Sequence, residues 1–243
     1  MKLKKTSNLS KSVLVIAGSD PSGGAGIQAD LKTLTSMGVY GMTAITALTV
    51  QNTSGVHDIL EIPINFVVNQ INACLADIKV DAVKIGMLHN SNLISAVYKT
   101  LSENNIIEND QIKIILDPVM VAKGGHRLLE FEAIDTLKDL ISKAKPILTP
   151  NIPEAEILTG IKIKNLIDME KAGKEIIKLG ASSVILKGGH MKTEVMTDLL
   201  IDDNEIYRIK TKKILTNNTH GTGCSMASAL SAGLAKSFKI EKA

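Results

Sequence analysis

The chain has 243 residues, of which 44% are hydrophobic and only 2% are aromatic. This length suits one α/β domain with an aliphatic core, and the absence of tryptophan removes the stacking platform that single-stranded nucleic acids use. The net charge of +3 is spread along the chain and forms no basic stripe, which argues against a nucleic-acid partner and is compatible with a small anionic ligand.

Cysteine use and the first residues indicate where the protein works. Cys74 and Cys224 are far apart and fall in no metal-ligand spacing, so a disulfide framework is not expected. Residues 1–11 are predicted to be a flexible polar segment, and the strand-length apolar run after them is neither a secretory signal nor a membrane span. We therefore expect a cytoplasmic protein without a membrane partner, with a single domain over residues 12–243.

The first strand, loop and helix predict an edge that binds a ligand. Residues 13–17 are all apolar, as in a strand buried on both faces, and residues 27–37 carry apolar side chains at helical spacing. The glycine-rich loop between them matches neither common nucleotide fingerprint, because Gly24 and Ala25 stand where a phosphate loop has Lys and Ser or Thr. A Rossmann oxidoreductase is disfavoured for the same reason.

A further strand is predicted over residues 42–50 and is followed by Gln51. Ligands bind beyond the carboxyl ends of strands in open α/β sheets, and a glutamine offers a donor and an acceptor to a heterocycle; an ordinary loop glutamine is the alternative. The later pattern predicts helices over residues 63–77, 91–103, 128–142 and 166–179, and strands over residues 82–87, 112–116, 146–149 and 184–186. This alternation favours a largely parallel sheet covered on both faces.

Polar residues at several strand ends suit phosphates and a cation. Asp117 is a weak candidate for a cation ligand, although an aspartate before proline also forms turns. Lys187 can neutralise a phosphate, unless it is an ordinary exposed lysine. Asn151 fits a helix N-cap, and Glu154 beside it can hold hydrated Mg²⁺. Two β-rich pieces within residues 194–210 predict a hairpin that could serve as a flap.

Residues 217–225 form the stretch that we call the anion loop. Gly221 and Gly223 let successive backbone N–H groups converge, and the small-residue run after them is typical of a helix whose first turn has unpaired donors. A turn followed by an N-cap is the simpler interpretation of so short a stretch. Cys224 lies at the helix start, where partial positive charge favours a thiolate, and is a candidate base or nucleophile.

Together these motifs resemble the hydroxymethylpyrimidine/phosphomethylpyrimidine kinases of thiamine synthesis, which belong to the ribokinase-like superfamily. The resemblance runs from about residue 12 to residue 236 and rests on residues 17–30, 47–53, 84–87, 116–123, 149–154, 187–190 and 218–224. It implies a three-layer α/β fold with a mostly parallel central sheet and a small β-hairpin flap. It also implies ATP as co-substrate, Mg²⁺, and phosphorylation of 4-amino-5-hydroxymethyl-2-methylpyrimidine and then of its monophosphate.

The resemblance assigns roles to the matching positions. Gln51 would pair with the pyrimidine, and the rest of the pocket would be formed by Gly18, Asp30, Met87 and Val119. The ATP phosphates and Mg²⁺ would be held by Asn151, Glu154, Lys187, Thr219, Gly221, Thr222 and Gly223. Cys224 would be the catalytic base, because this family has cysteine where most ribokinase-like enzymes have aspartate.

The resemblance also bears on assembly and on rival functions. Family members are typically homodimers, so a homodimer is expected. The family usually continues with a further helical segment, whereas this sequence ends at Ala243, and less packing or dependence on a partner subunit is expected at the nucleotide edge. A pyridoxal kinase and a non-catalytic nucleotide-binding regulator are the alternatives; Cys224, Lys187 and Glu154 argue against the regulator.

Overall fold

The computed structural model describes residues 10–121, 125–191, 194–216 and 218–243. The segment predicted to be flexible, residues 1–11, falls mostly outside the described residues, as does Asn217 of the anion loop. The described elements, in chain order, are β1 (Ser12–Ala17), α1 (Gly26–Ser36), β2 (Tyr40–Ile45), β3 (Ala47–Asn52), β4 (Gly55–Glu61), α2 (Ile64–Asp77), β5 (Ala82–Ile85), α3 (Ser91–Glu103), β6 (Lys113–Leu116), α4 (Ala133–Ala144), β7 (Ile147–Leu148), α5 (Ile152–Thr159), α6 (Leu166–Lys178), β8 (Ser183–Leu186), β9 (Val195–Ile201), β10 (Ile206–Lys212) and α7 (Thr222–Ala235).

A mostly parallel sheet forms the middle layer. Its strand order is β10-β9-β8-β7-β6-β5-β1-β2, and every neighbouring pair from β8 to β2 is parallel. β1 is buried along its whole length, as expected for a parallel strand that is covered on both faces. The predicted three-layer α/β fold is confirmed.

Alternation along the strands divides the core into two apolar layers. Val13 and Val15 of β1 pack with α1 and α7, whereas Leu14 and Ile16 face the layer that contains α2 to α6. Successive side chains of a strand point to opposite faces, so a continuous apolar run supplies both layers at once. None of the described helices is both long and apolar enough to span a membrane.

The flap was predicted at the wrong place. Residues 194–210 do form a hairpin, but β9 pairs antiparallel with β8 and buries Leu199, Leu200 and Ile201, so this hairpin extends the main sheet. The separate two-stranded sheet is formed by β3 and β4. The region predicted as one strand over residues 42–50 is divided between the end of β2 and the start of β3. The break falls at Thr46, whose amide donates to Ala17 and whose hydroxyl donates to the Met87 carbonyl.

Helix boundaries follow local capping and packing. α3 begins and ends at the predicted residues, and Asn90 caps it by accepting a hydrogen bond from the Leu93 amide at 3.0 Å. α4 begins later than the predicted residue 128. The residues before it bond elsewhere, since the amide of Leu128 donates to Met120 and that of Glu130 donates to His89.

The strand ends place the polar candidates along one edge of the sheet. β1, β5, β6, β7 and β8 are parallel neighbours, so the residues that follow them, Gly18, Gly86, Asp117, Thr149 and Lys187, lie on the same side. From β1 the chain runs to β2 on one side of β1 and later crosses to β5 on the other side. Such a switch point opens a crevice at the carboxyl edge of the sheet. The functional site is expected there.

Candidate active site

The first glycine loop, residues 18–26, is folded around the carboxylate of Asp20. This buried side chain accepts hydrogen bonds from the amides of Ser22 and Ala25, both at 2.8 Å. Gly26 has a φ of +55°, and a Cβ there would overlap the backbone of the same loop. The loop therefore requires glycine at this position and is fixed by its own hydrogen bonds.

A side-chain contact between Asp20 and His220 joins this loop to the anion loop. Nε2 of His220 lies 2.8 Å from Oδ2 of Asp20. Burial favours the neutral form of Asp20, but the hydrogen bonds from His220 and from its own loop outweigh it and lower the Asp20 pKa. Gly221 has a φ of +76°, and a Cβ there would overlap the carbonyl oxygen of Gly24. Two loops that are distant in sequence thus form one surface.

The anion loop runs into α7 as the sequence predicts. The helix begins at Thr222, whose hydroxyl donates a hydrogen bond to the carbonyl of Thr219 at 3.0 Å. The next two residues lie in the first turn, where backbone N–H groups have no acceptor within a helix and the helix dipole is positive. This end of α7 can therefore receive an anion.

Lys187 stands beside the first turn of α7. Its Nζ lies 3.1 Å from Oδ1 of Asp117, and its side chain is 17% exposed. A Cβ on Gly223 would lie 3.3 Å from Nζ and 3.7 Å from Oδ2 of Asp117. Burial opposes the charge of Lys187, but Asp117 and Glu154 outweigh it and raise the Lys187 pKa. Lys187 is a fixed cation at the anion loop, and not an ordinary exposed lysine.

Asn151 and Glu154 form a reciprocal cap at the start of α5. The Glu154 amide donates to Oδ1 of Asn151 at 3.0 Å, and the Asn151 amide donates to Oε2 of Glu154 at 2.8 Å. The predicted N-cap is therefore confirmed, and it occupies part of the hydrogen-bonding capacity of both side chains. Burial, and then the charge of Asp117, raises the pKa of Glu154 to about 7.

The carboxylates beside Lys187 suit hydrated Mg²⁺. The charge of Asp117 contributes to the raised pKa of Glu154, and a bound cation would offset this repulsion. Mg²⁺ takes one or two carboxylates and keeps several waters. In the described part of the chain, no group of three or more histidine, cysteine, aspartate or glutamate side chains forms a metal cluster. Two carboxylates nevertheless meet the needs of Mg²⁺.

An apolar cluster packs against the first glycine loop. Met87 is buried with Ala47 and Val56, and Val119 packs against this cluster. A Cβ on Gly18 would lie 3.1 Å from Sδ of Met87, so a larger residue would fill the space. The structure therefore brings together Gly18, Met87 and Val119, three of the residues assigned to the pyrimidine.

Gln51 lies within β3 and does not follow a strand of the main sheet. The ladder between β3 and β4 shifts register after Val50, and Gln51 is half-buried and close to Thr49 on the same strand. The Thr49 hydroxyl donates to the carbonyl of Ser19 at 2.7 Å. This bond holds the hairpin against the first glycine loop. Gln51 is paired in the ladder with Val56, a member of the apolar cluster.

Asp30 lies in the core, below the pocket to which the resemblance assigns it. Its carboxylate is fully buried and contacts Nζ of Lys84 at 2.9 Å and 3.0 Å. Ser228 of α7 donates to the same carboxylate at 2.6 Å. Burial raises the pKa of Asp30, whereas the charge of Asp30 outweighs the burial of Lys84 and raises the Lys84 pKa. We treat the two as an ion pair because both carboxylate oxygens contact Nζ.

Cys224 lies one helical turn before Ser228, above the buried ion pair. The Gly26 amide of the first glycine loop faces the sulfur and favours its ionised form. Burial raises the pKa of the thiol to about 11, Lys84 opposes this shift, and Asp30 adds to it. Loss of hydration thus raises the thiol pKa in the free protein, so a position at the helix start does not by itself make Cys224 a thiolate there.

The ion pair below Cys224 predicts shifts of opposite sign in the thiol pKa. We expect Lys84→Gln to raise this pKa and Asp30→Asn to lower it, because the first change removes a cation and the second removes an anion. Thiolate absorbance followed during a pH titration, in a Cys74→Ser background, measures both. Shifts in the same direction would show that general disruption of the core, and not charge, controls the thiol.

Three residues of the site, Lys84, Asp20 and His220, are absent from the sequence-based assignment. Lys84 is an ionisable residue within a buried strand, and that contrast with its apolar neighbours is a usable signal. Asp20 and His220 carry no such signal, because only the folded chain brings the two glycine loops together. His220 nevertheless lies within the predicted anion loop, where a polar residue merits attention.

A helix start that can receive an anion, a fixed cation beside it and an apolar cluster at the adjoining loop are what a small-molecule kinase needs for phosphoryl transfer, and the mostly parallel three-layer sheet is that of the ribokinase-like fold. The family model for phosphomethylpyrimidine kinase matches residues 20–243. The chain belongs to this family.

Known relatives agree with this membership. The chain is 46% identical to the hydroxymethylpyrimidine/phosphomethylpyrimidine kinase of Bacillus subtilis over 95% of this chain and 83% of the relative. The crystal structure of a phosphomethylpyrimidine kinase from Clostridium difficile is similar with a TM-score of 0.82, 42% identity, and coverage of 95% and 93% of the two chains. Pyridoxal kinase from Staphylococcus aureus, solved with AMP-PCP and pyridoxal, has a TM-score of 0.85 at 34% identity, with coverage of 96% and 83%.

Proposed function

We propose that this chain transfers the γ-phosphoryl group of ATP to the hydroxymethyl oxygen of 4-amino-5-hydroxymethyl-2-methylpyrimidine, and then phosphorylates the resulting monophosphate. One observation carries the proposal. Gly223 faces Lys187 and Asp117, whereas the thiol of the next residue, Cys224, faces the Gly26 amide of the first glycine loop, which lowers the thiol pKa. Two adjacent residues therefore face the phosphate side and the acceptor side of one site.

The phosphate side binds and aligns ATP. Backbone amides of Gly221, Thr222 and Gly223 at the start of α7 donate hydrogen bonds to the terminal phosphate, and the carbonyl of Thr219 closes the loop by accepting a hydrogen bond from the Thr222 hydroxyl. Lys187 neutralises charge on the transferred group. Such preorganised donors supply most of the catalysis of phosphoryl transfer.

The metal site lies at the two carboxylates beside Lys187. Glu154, through water, and Asp117 would hold Mg²⁺, and Asn151 would orient Glu154 through the reciprocal cap. Bound Mg²⁺ would screen the charge of the ATP phosphates. The raised pKa of Glu154, about 7, is consistent with a carboxylate whose charge requires a counter-ion.

The acceptor side positions the pyrimidine. Gln51 pairs with the heterocycle, and Gly18, Met87 and Val119 provide the apolar surround. We assign Asp30 to the floor of the site, where it holds Lys84 below Cys224.

Cys224 is the proposed base. During transfer the alcohol oxygen forms a bond to the γ-phosphorus, the bond from that phosphorus to the ADP oxygen breaks, and the alcohol proton passes to the sulfur. Since the thiol pKa is about 11 in the free protein, the thiolate must form in the substrate complex. Lys84 is the cation placed to favour it.

A pyridoxal kinase is the second candidate, favoured by the similarity to the enzyme solved with AMP-PCP and pyridoxal. The test is mass spectrometry of three acceptors incubated separately with ATP and Mg²⁺: the pyrimidine alcohol, its monophosphate and pyridoxal. We expect one added phosphoryl group on each pyrimidine at a higher kcat/KM than on pyridoxal. A higher kcat/KM on pyridoxal would reverse the assignment, and no ADP with any acceptor would favour a regulator.

We also propose a homodimer of single-domain chains. The support is the outer face of the β3–β4 hairpin, where Leu48 and Leu60 are opposite each other in the ladder and both exposed, with exposed Val50 beside them. Light scattering that gave the mass of one chain would reject the dimer. The continuous sheet from β1 to β10 supports one domain over residues 12–243.

We propose the cytoplasm as the location, because Cys74 and Cys224 are both free thiols. Cell fractionation tests this proposal, and recovery of the protein outside the cytoplasmic fraction would contradict it.

A further inference from the structure

Thr49 and Gln51 lie two residues apart on β3, and their side chains are in contact. The hydroxyl oxygen of Thr49 is 2.7 Å from the carbonyl oxygen of Ser19. It is also 3.0 Å from one of the two terminal atoms of the Gln51 amide, assigned as the oxygen Oε1. Both neighbours of the hydroxyl would thus be oxygens that accept hydrogen bonds.

A hydroxyl has one proton and can satisfy only one of these two acceptors fully. The carbonyl of Ser19 can only accept, and its 2.7 Å distance is typical of an O–H···O bond. The 3.0 Å distance to Gln51 is typical of an N–H···O bond. The nitrogen and oxygen of a glutamine amide are told apart by their partners. The nitrogen of Gln51 therefore faces Thr49, and its oxygen occupies the other position.

We propose that Thr49 is a positioning residue that sets the substrate specificity by locking the amide of Gln51 in this orientation. The inference rests on the proposed function, in which Gln51 pairs with the ring. With one N–H donated to Thr49, the amide keeps an oxygen acceptor and a second N–H for the ligand. It then matches a ring edge on which an amino donor stands next to a ring-nitrogen acceptor.

This edge distinguishes a 4-aminopyrimidine from its 4-oxo analogue. The amino compound presents the N–H donor at position 4 and the acceptor at ring nitrogen 3. The oxo compound, in its lactam form, presents the reverse pattern. If the amide of Gln51 rotated freely, it could pair with either compound after a half-turn. A locked amide pairs with the amino compound but leaves polar groups unpaired against the oxo compound. Unpaired polar groups in a buried site cost binding free energy.

The test compares kcat/KM for the 4-amino and 4-oxo pyrimidine alcohols. The wild type is expected to prefer the amino compound, and Thr49→Val is expected to reduce that preference about tenfold, as expected for one hydrogen bond of ordinary strength. Thr49→Ser retains the hydroxyl and should retain the preference. Thr49→Ala removes the hydroxyl without adding a methyl group against Ser19, and should repeat the valine result if valine disturbs the fold.

The outcomes separate this inference from the function on which it rests. A wild type that phosphorylates neither pyrimidine overturns both. A wild type that phosphorylates the amino compound, with a preference unchanged in Thr49→Val and Thr49→Ala, overturns the role of Thr49 alone. A loss of preference in Thr49→Ser as large as in Thr49→Val also overturns it. Gln51→Leu serves as the reference in which no amide remains to be oriented.

Discussion

Replacing Lys187 with methionine is expected to lower kcat by roughly three orders of magnitude, at the upper end of the effect of removing one preorganised charge-stabilising donor. Lys187 is the cation next to Gly223 of the anion loop, and its loss also leaves Asp117 without its ion-pair partner. Charge that develops on the transferred phosphoryl group would then lack the fixed cation beside it, next to the carboxylates of Asp117 and Glu154. Steady-state ADP release at saturating ATP and pyrimidine measures the effect.

Two controls separate catalysis from folding in this experiment. Lys174→Met removes an exposed lysine from α6, on the sheet face opposite α7, and should leave kcat unchanged. Lys187→Arg keeps the charge and should recover part of the rate. A folded Lys187→Met protein with wild-type kcat would exclude Lys187 from the transition state.

Replacing Cys224 with alanine is expected to lower turnover on the hydroxymethyl substrate by roughly two orders of magnitude or more, the usual contribution of a general base. ATP binding should be largely retained, because the backbone amides and Lys187 hold the phosphates. The monophosphate should be affected less, since that acceptor is already an anion. The readouts are kcat for both acceptors and the ATP dissociation constant.

The chain provides a matched control for this variant in its other cysteine. Cys74 lies on α2, packed against the core on the sheet face opposite α7, and Cys74→Ser should keep wild-type turnover. Equal turnover of Cys224→Ala and the wild type on the alcohol would remove Cys224 from the mechanism. A parallel loss of ATP binding would instead indicate damage to the anion loop.

Local signals in the sequence were enough to predict much of the fold. Apolar runs gave the buried strands, and Asn90 and Asn151 marked helix starts that the structure confirms. The carboxyl ends of parallel strands lie at the same edge of a sheet, so the polar residues that follow such strands lie close together. This is why Asp117, after β6, meets Lys187, after β8. The contact between Gly223 and Lys187 follows from the same geometry.

What the sequence did not predict depends on contacts between distant segments. The turn at Thr46 is fixed by bonds to β1 and to the Met87 carbonyl, so residues 42–50 appeared as one strand. The pKa of the Cys224 thiol depends on its burial and on the charges of Lys84 and Asp30, and these neighbours come from distant segments of the chain. The link between Asp20 and His220 likewise exists only in the folded chain.

The most direct test is a crystal structure with a non-hydrolysable ATP analogue and the pyrimidine alcohol bound together. We expect the amides of Gly221 to Gly223 and Nζ of Lys187 within hydrogen-bonding distance of the γ-phosphate. The sulfur of Cys224 should lie at the same kind of distance from the alcohol oxygen, with Gln51 on the ring. An anion loop turned away from the nucleotide, or a sulfur remote from the alcohol, would contradict the account.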